Sequence, residues 1–130
     1  MYSIKLVNSD IIESDNYNNI QVMTGNQTTV RFIVKNVPTE PNEHVYITGS
    51  VYELGYFSYE DAIGPMYNEV VYQGDTYYLD INVPEDMLIN FKFLIKDSSG
   101  NVKVEEHDVH SFKTSINSTS EVLVKWNALH

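Results

Sequence analysis

The sequence predicts an all-β fold, an antiparallel β-sandwich or open-sided barrel of seven to eight strands. Three observations predict it. Apolar and polar side chains alternate in stretch after stretch, which is the period of a half-buried strand. These stretches recur about every ten residues, separated by Pro, Gly, Asn, Asp and Ser. No segment sustains a helical period; only Tyr59 to Ile63 suits a single helical turn, with Ser58 as its cap.

Taken in order, Tyr2 to Val7 alternates as a strand should. A polar, turn-rich stretch follows, then Ile20 to Met23 reads as a short strand and Gly25 and Asn26 as a turn. Residues 1–25 therefore read as the trailing hairpin of a preceding unit, and residues 26–130 as the domain proper. Thr28 to Lys35 is the first strong strand, with Val30, Phe32 and Val34 on one face. Pro38 and Pro41 make the next segment a loop. His44 to Thr48 is a strand that breaks at Gly49 and leads into a long polar-aromatic loop. The loop returns to apolar residues at Ala62, Ile63 and Met66, and Glu69 to Tyr72 forms a short strand. Thr76 to Val83 sets Tyr77, Leu79 and Ile81 against Tyr78, Asp80 and Asn82. A turn at Pro84, Glu85 and Asp86 precedes Leu88 to Lys96, with Ile89, Phe91, Phe93 and Ile95 on one face and Asn90, Lys92 and Leu94 on the other. Asp97 to Gly100 is a hairpin turn and Val102 to Glu106 pairs back. Ser111 to Thr114 and Glu121 to Trp126 are the last strands.

Composition narrows the function. The chain has 130 residues, enough for one domain and part of a second. It has no cysteine, hence no disulfide and no thiol chemistry. Eighteen acidic residues against eight basic ones give a formal charge of −10, which repels polyanions and excludes nucleic acid as a partner. Neutral ligands such as sugars are indifferent to that field. No apolar run approaches a membrane span and no leader opens the chain, so no membrane partner is expected and a secretion signal would lie outside this sequence. The carboxylate pairs, such as Glu60 with Asp61 and Glu85 with Asp86, are adjacent in sequence and face opposite ways on a strand. Acid–base work needs two carboxyls converging across a cleft, and neither a nucleophile elbow nor a phosphate loop is present, so no catalytic residue is expected. Glu106, His107, Asp108 and His110 offer a metal site, since alternation puts Asp108 and His110 on one face; with no second ligand cluster, no metal or cofactor is expected. Asn26-Gln27-Thr28 and Asn117-Ser118-Thr119 match the glycosylation triplet.

The stretch from His44 to Met66 mounts a loop on a β scaffold, where binding residues tend to sit. HVYITGSVYELG, AIGPMYNEVVY, TYYLDINVP, NFKFLIK and VLVKW together resemble the starch-binding domain, the family 20 carbohydrate-binding module of cyclodextrin glucanotransferases and maltogenic amylases. The likeness covers about residues 28 to 127 and implies an immunoglobulin-like sandwich. Upstream, YSIKLVNSD and YNNIQVMTGNQTTVRF resemble the end of the immunoglobulin-like domain that precedes it in those enzymes.

The resemblance implies a non-catalytic module that binds α-1,4-glucan and tethers the catalytic domain of the same secreted parent chain, an amylase or glucanotransferase, to its substrate. It also implies two sites. In the first, two tryptophans stack on glucose with help from a lysine and an asparagine. Phe57 in ELGYF stands at the first tryptophan, and Lys92 in NFKF at the lysine. The second tryptophan belongs to the strand ending at Glu105, where this chain has Val104; Val109 falls at the asparagine. The second site keeps Asn68, has Gly74 in place of a tyrosine, and matches Thr39 to a further contact. The candidate sugar-contacting residues are thus Phe57, Lys92, Glu105, Asn68 and Thr39, with a weakened site expected. Tyr56, Tyr59 and Phe112 are the rings available as a displaced second face. Two alternatives follow: a degenerate module kept for structural or protein–protein contacts, or one that binds another glycan.

Overall fold

A computed structural model describes residues 26–68 and 75–127 in full, with the backbone of 5–7 and 9–11. The expected strands at 20–23 and 69–72 lie outside these residues, as does Gly74. In chain order the strands are β1 (Lys5–Val7), β2 (Ser9–Ile11), β3 (Gln27–Lys35), β4 (His44–Gly49), β5 (Tyr77–Pro84), β6 (Leu88–Lys96), β7 (Val102–Glu105), β8 (His110–Lys113) and β9 (Ser120–Lys125). Two 3₁₀ turns, Tyr52–Phe57 and Tyr59–Asp61, interrupt them after β4. Strand β2 falls in the polar stretch that reads as a turn, and pairs Ile11 with Lys5. Ser and Asp are poor strand formers, so propensity hides a strand that pairing creates.

Two sheets pack face to face. One has the order β5, β3, β9; in the other β4 and β6 are neighbours, and β7 and β8 share the far edge of β6. The pairs are antiparallel except β3 with β9, which is parallel from Val30 opposite Ser120 to Lys35 opposite Lys125. Alternation in a strand sets its faces but not its direction, so this departure from an all-antiparallel sandwich carries no mark in the sequence.

The facing side chains fill the core. Val30, Phe32 and Val34 from β3 meet Ile89, Phe91, Phe93 and Ile95 from β6, all fully buried. The Phe32 and Phe91 rings meet edge to face across the two sheets, 5.0 Å between centroids. Trp126 closes the core at 7% exposed. Burying side chains of this size stabilises by about 1.5–3 kcal/mol each before chain entropy is counted. Glu106 is buried as well: it accepts from the Phe93 amide at 2.8 Å and the Asn127 amide at 3.1 Å, and pairs with His110 Nε2 at 2.8 Å. The His110 ring lies 5.4 Å from that of Phe91. One carboxylate thereby joins β6, β8 and the segment after β9.

Candidate functional site

The loop after β4 is built from its backbone outwards. Gly49 ends the strand where a Cβ would come within 2.6 Å of the Asn90 carbonyl, so only glycine fits. Leu54 then turns inward and is fully buried. Thr48 Oγ1 donates to its carbonyl at 3.0 Å, and its amide donates to the Val51 carbonyl at 3.0 Å. Gly55 adopts φ +79°, and a Cβ there would meet the Asp61 carbonyl at 2.5 Å. Tyr56 (φ 53°) and Phe57 (φ 62°) follow in the left-handed region. Three successive left-handed residues reverse the chain tightly and leave both rings on the outside of the loop.

Phe57 and Tyr59 from this loop, Lys92 from β6 and Val109 from the β7–β8 connection line a surface recess of about 450 Å³. Strand alternation points Lys92 outward between buried Phe91 and Phe93. Glu105, at the end of β7, organises the polar side: Lys92 Nζ donates to its Oε1 at 2.8 Å, and the Tyr59 hydroxyl donates to the same oxygen at 2.5 Å. Lys92 Nζ lies 5.5 Å from the Tyr59 ring centroid. The hydrogen bonds from Lys92 and Tyr59 hold the Glu105 carboxyl below its ordinary range. For Lys92, desolvation pulls the ammonium down, but the attraction of Glu105 and Tyr59 outweighs it and leaves the group raised. Both groups stay charged at neutral pH, in an exposed-edge ion pair worth at most about 1 kcal/mol. What the arrangement offers a ligand is two aromatic rings, a fixed ammonium and a carboxylate whose geometry is already set.

Phe57, Lys92 and Glu105 of the expected residues therefore come together. Thr39 and Asn68 form a separate group at the start of β5. Thr39 Oγ1 lies 2.7 Å from the Tyr77 hydroxyl, and Asn68 Nδ2 donates to the Thr76 carbonyl at 2.8 Å. Val104 is half-buried against the core and does not line the recess. Of the three rings available as a second face, Tyr59 lines this recess, Tyr56 lines another, and Phe112 packs on the core. Of the group from Glu106 to His110, Glu106 is engaged by two backbone amides, while Asp108 is exposed and pairs with His107 at 3.2 Å. Among the described residues no three His, Asp or Glu side chains gather as metal ligands. No helix among them is long and apolar enough to cross a membrane.

Comparison with known proteins gives a consistent result. Residues 27–124 match the family model described as the starch binding domain. The chain is 44% identical over 125 residues to the cyclomaltodextrin glucanotransferase of Geobacillus stearothermophilus, covering 96% of this chain and 18% of that protein. It is 45% identical to the same enzyme of Thermoanaerobacterium thermosulfurigenes, again covering 96% and 18%. Among solved structures, a gamma-CGTase from alkalophilic Bacillus clarkii superposes with a TM-score of 0.76 at 44% identity, over 82% of this chain and 16% of that one. The family 20 module of a maltotetraose-forming amylase from Pseudomonas saccharophila STB07 shares the fold with a TM-score of 0.63 at 19% identity, over 76% of this chain and 100% of that one. Fold and matches together define a non-catalytic carbohydrate-binding module. The chain belongs to the starch-binding domains of family 20. It spans less than a fifth of the length of these glucanotransferase relatives.

Proposed function

We propose that this module binds α-1,4-glucan at the recess of Phe57, Tyr59, Lys92 and Val109, and so tethers the catalytic domain of a larger secreted glucanotransferase or amylase to starch. The convergence of two rings on a Lys92–Glu105 pair carries the reading. Flat rings cover the C–H faces of glucose, and the fixed charged pair offers a donor and an acceptor to its hydroxyls. The site is weaker than is usual for the family. Phe57 is smaller than a tryptophan, and Val109, 52% exposed, offers no hydrogen bond. A ring contact of about 1 kcal/mol lost, with a polar contact besides, amounts to roughly tenfold or more in affinity. Thr39 and Asn68 would serve a second site beside the start of β5. Residues 1–25 are assigned to the edge of a preceding immunoglobulin-like domain. Support comes from the relatives, which match over 125 residues, whereas the family match begins at residue 27.

The test is an amide NMR titration of the chain with β-cyclodextrin and maltoheptaose. Shifts clustered at Phe57, Tyr59, Lys92 and Val109 are expected. Their absence at millimolar sugar would sink glucan binding and leave a structural module in its place.

A further inference from the structure

The same loop lines a second recess. Tyr52, Glu53, Gly55, Tyr56, Asp61 and Ile63 surround about 410 Å³, within the range of small-molecule sites. Tyr52 and Tyr56 are 71% and 66% exposed, and their rings stand 6.1 Å apart at an interplanar angle of 63°, forming an aromatic corner. Neither ring is needed by the core. Yet Tyr56 holds φ 53°, a conformation costly for a bulky residue and found where surrounding structure imposes it. The polar lining is acidic. Glu53 Oε2 accepts from Gln27 Nε2, and the Asp61 carboxylate has no hydrogen-bond partner among the described residues.

We propose that this recess is a further glycan subsite, taking one neutral sugar unit of an α-glucan against the Tyr52–Tyr56 corner. The unit's hydroxyls donate to Asp61 and Glu53. Two carboxylates and a chain charge of −10 disfavour an anionic ligand. A glucan is favoured because Tyr56 and Phe57 are consecutive, so one loop supplies a ring to each recess. The inference rests on the reading of that first recess as a glucan site.

The two are separated by titrating maltoheptaose into the chain, its K92A variant and its Y52A/Y56A variant, with the amides of Tyr52, Glu53, Asp61 and Ile63 as reporters in the first two and those of Glu53, Asp61 and Ile63 in the third. Lys92 does not line this recess, and Tyr52 and Tyr56 are exposed, so removing their rings leaves the core intact. The expected result is a saturable shift of the reporters that persists in K92A and weakens at least about fivefold in Y52A/Y56A. Shifts confined to Phe57, Lys92 and Val109 would overturn the second recess and leave the first. Shifts nowhere would remove both. Reporter shifts caused by choline and not by maltoheptaose would replace the sugar with an organic cation and overturn the proposal.

Discussion

Tyr59 is the residue on which the proposed glucan site turns. Its ring lines the recess and its hydroxyl is held by Glu105. Tyr59→Phe keeps the ring and removes one hydrogen bond, so glucan affinity should fall less than about threefold. Tyr59→Ala removes the stacking face and should cost about tenfold, or ~1.4 kcal/mol. Isothermal titration with β-cyclodextrin separates the two, and an unchanged Ala variant would exclude Tyr59 from the site. Glu105 has a pH signature with a definite sign. Its native carboxyl titrates below the ordinary range, so its stabilisation is complete above the unfolded value, near pH 4, and drains as pH falls through the lowered native value. Lys92 titrates above its ordinary range, so its share is complete below about pH 10 and is lost as pH rises beyond. The stability gap between wild type and Glu105→Gln should therefore be constant from about pH 5 to pH 9 and begin to shrink as pH falls below about pH 4. A gap as large at pH 3 as at pH 7 in urea titrations would contradict this. That Phe57 sits on the loop and Lys92 on the outer face of β6 is legible in the sequence, because each lies in a short recognisable string, ELGYF or NFKF. Tyr59 stood only as one of three candidate rings: its partner Glu105 is 46 residues away, and no local pattern reports that contact.

At the scale of the element, the loop between β4 and β5 depends on one backbone position. Gly55 and Gly100 both have positive φ, +79° and +89°. A Cβ at Gly100 meets nothing within 4 Å, whereas one at Gly55 meets the Asp61 carbonyl at 2.5 Å. Gly100→Ala should cost only the strain of its φ, about 1 kcal/mol. Gly55→Ala should cost clearly more, about 2–3 kcal/mol, and should also abolish glucan binding, because the clash displaces the turn that carries Phe57 and Tyr59. Denaturant melts of the pair, read beside a sugar titration, check both halves; equal costs would deny the clash. Strand β6 shows how far alternation reaches: its bounds and core face follow directly from LINFKFLIK. Leu94, on its outer face, is nevertheless fully buried. Tyr46 lies opposite it on β4, and Glu105 opposite it on β7. Cover of that kind comes from elements distant in sequence and leaves no period to read.

At the scale of the molecule, two long-range ties hold the sandwich together: the Phe32–Phe91 contact between sheets and the Glu106 network. Glu106 receives two backbone amides and His110, so Glu106→Ala leaves buried donors unsatisfied on β6 and beyond β9. The expected loss is about 3 kcal/mol, measured by urea unfolding, and a loss under about 1 kcal/mol would mean that water replaces the carboxylate. The all-β class and the two-sheet core were readable in advance because period-two alternation and turn spacing are properties of the whole chain. The parallel pairing of β3 with β9 was not, since it depends on where the last strand docks.

That pairing has a mechanical consequence. Strands β3 and β9 run the same way in register, so the chain passes into the domain at Gln27 and leaves beyond Lys125 at opposite ends of one ladder. Eight residue steps along β3 separate those ends by about 26 Å. A pull between a flanking segment anchored elsewhere and the far side of the module would load the six β3–β9 residue pairs in shear, all at once, instead of peeling them one by one.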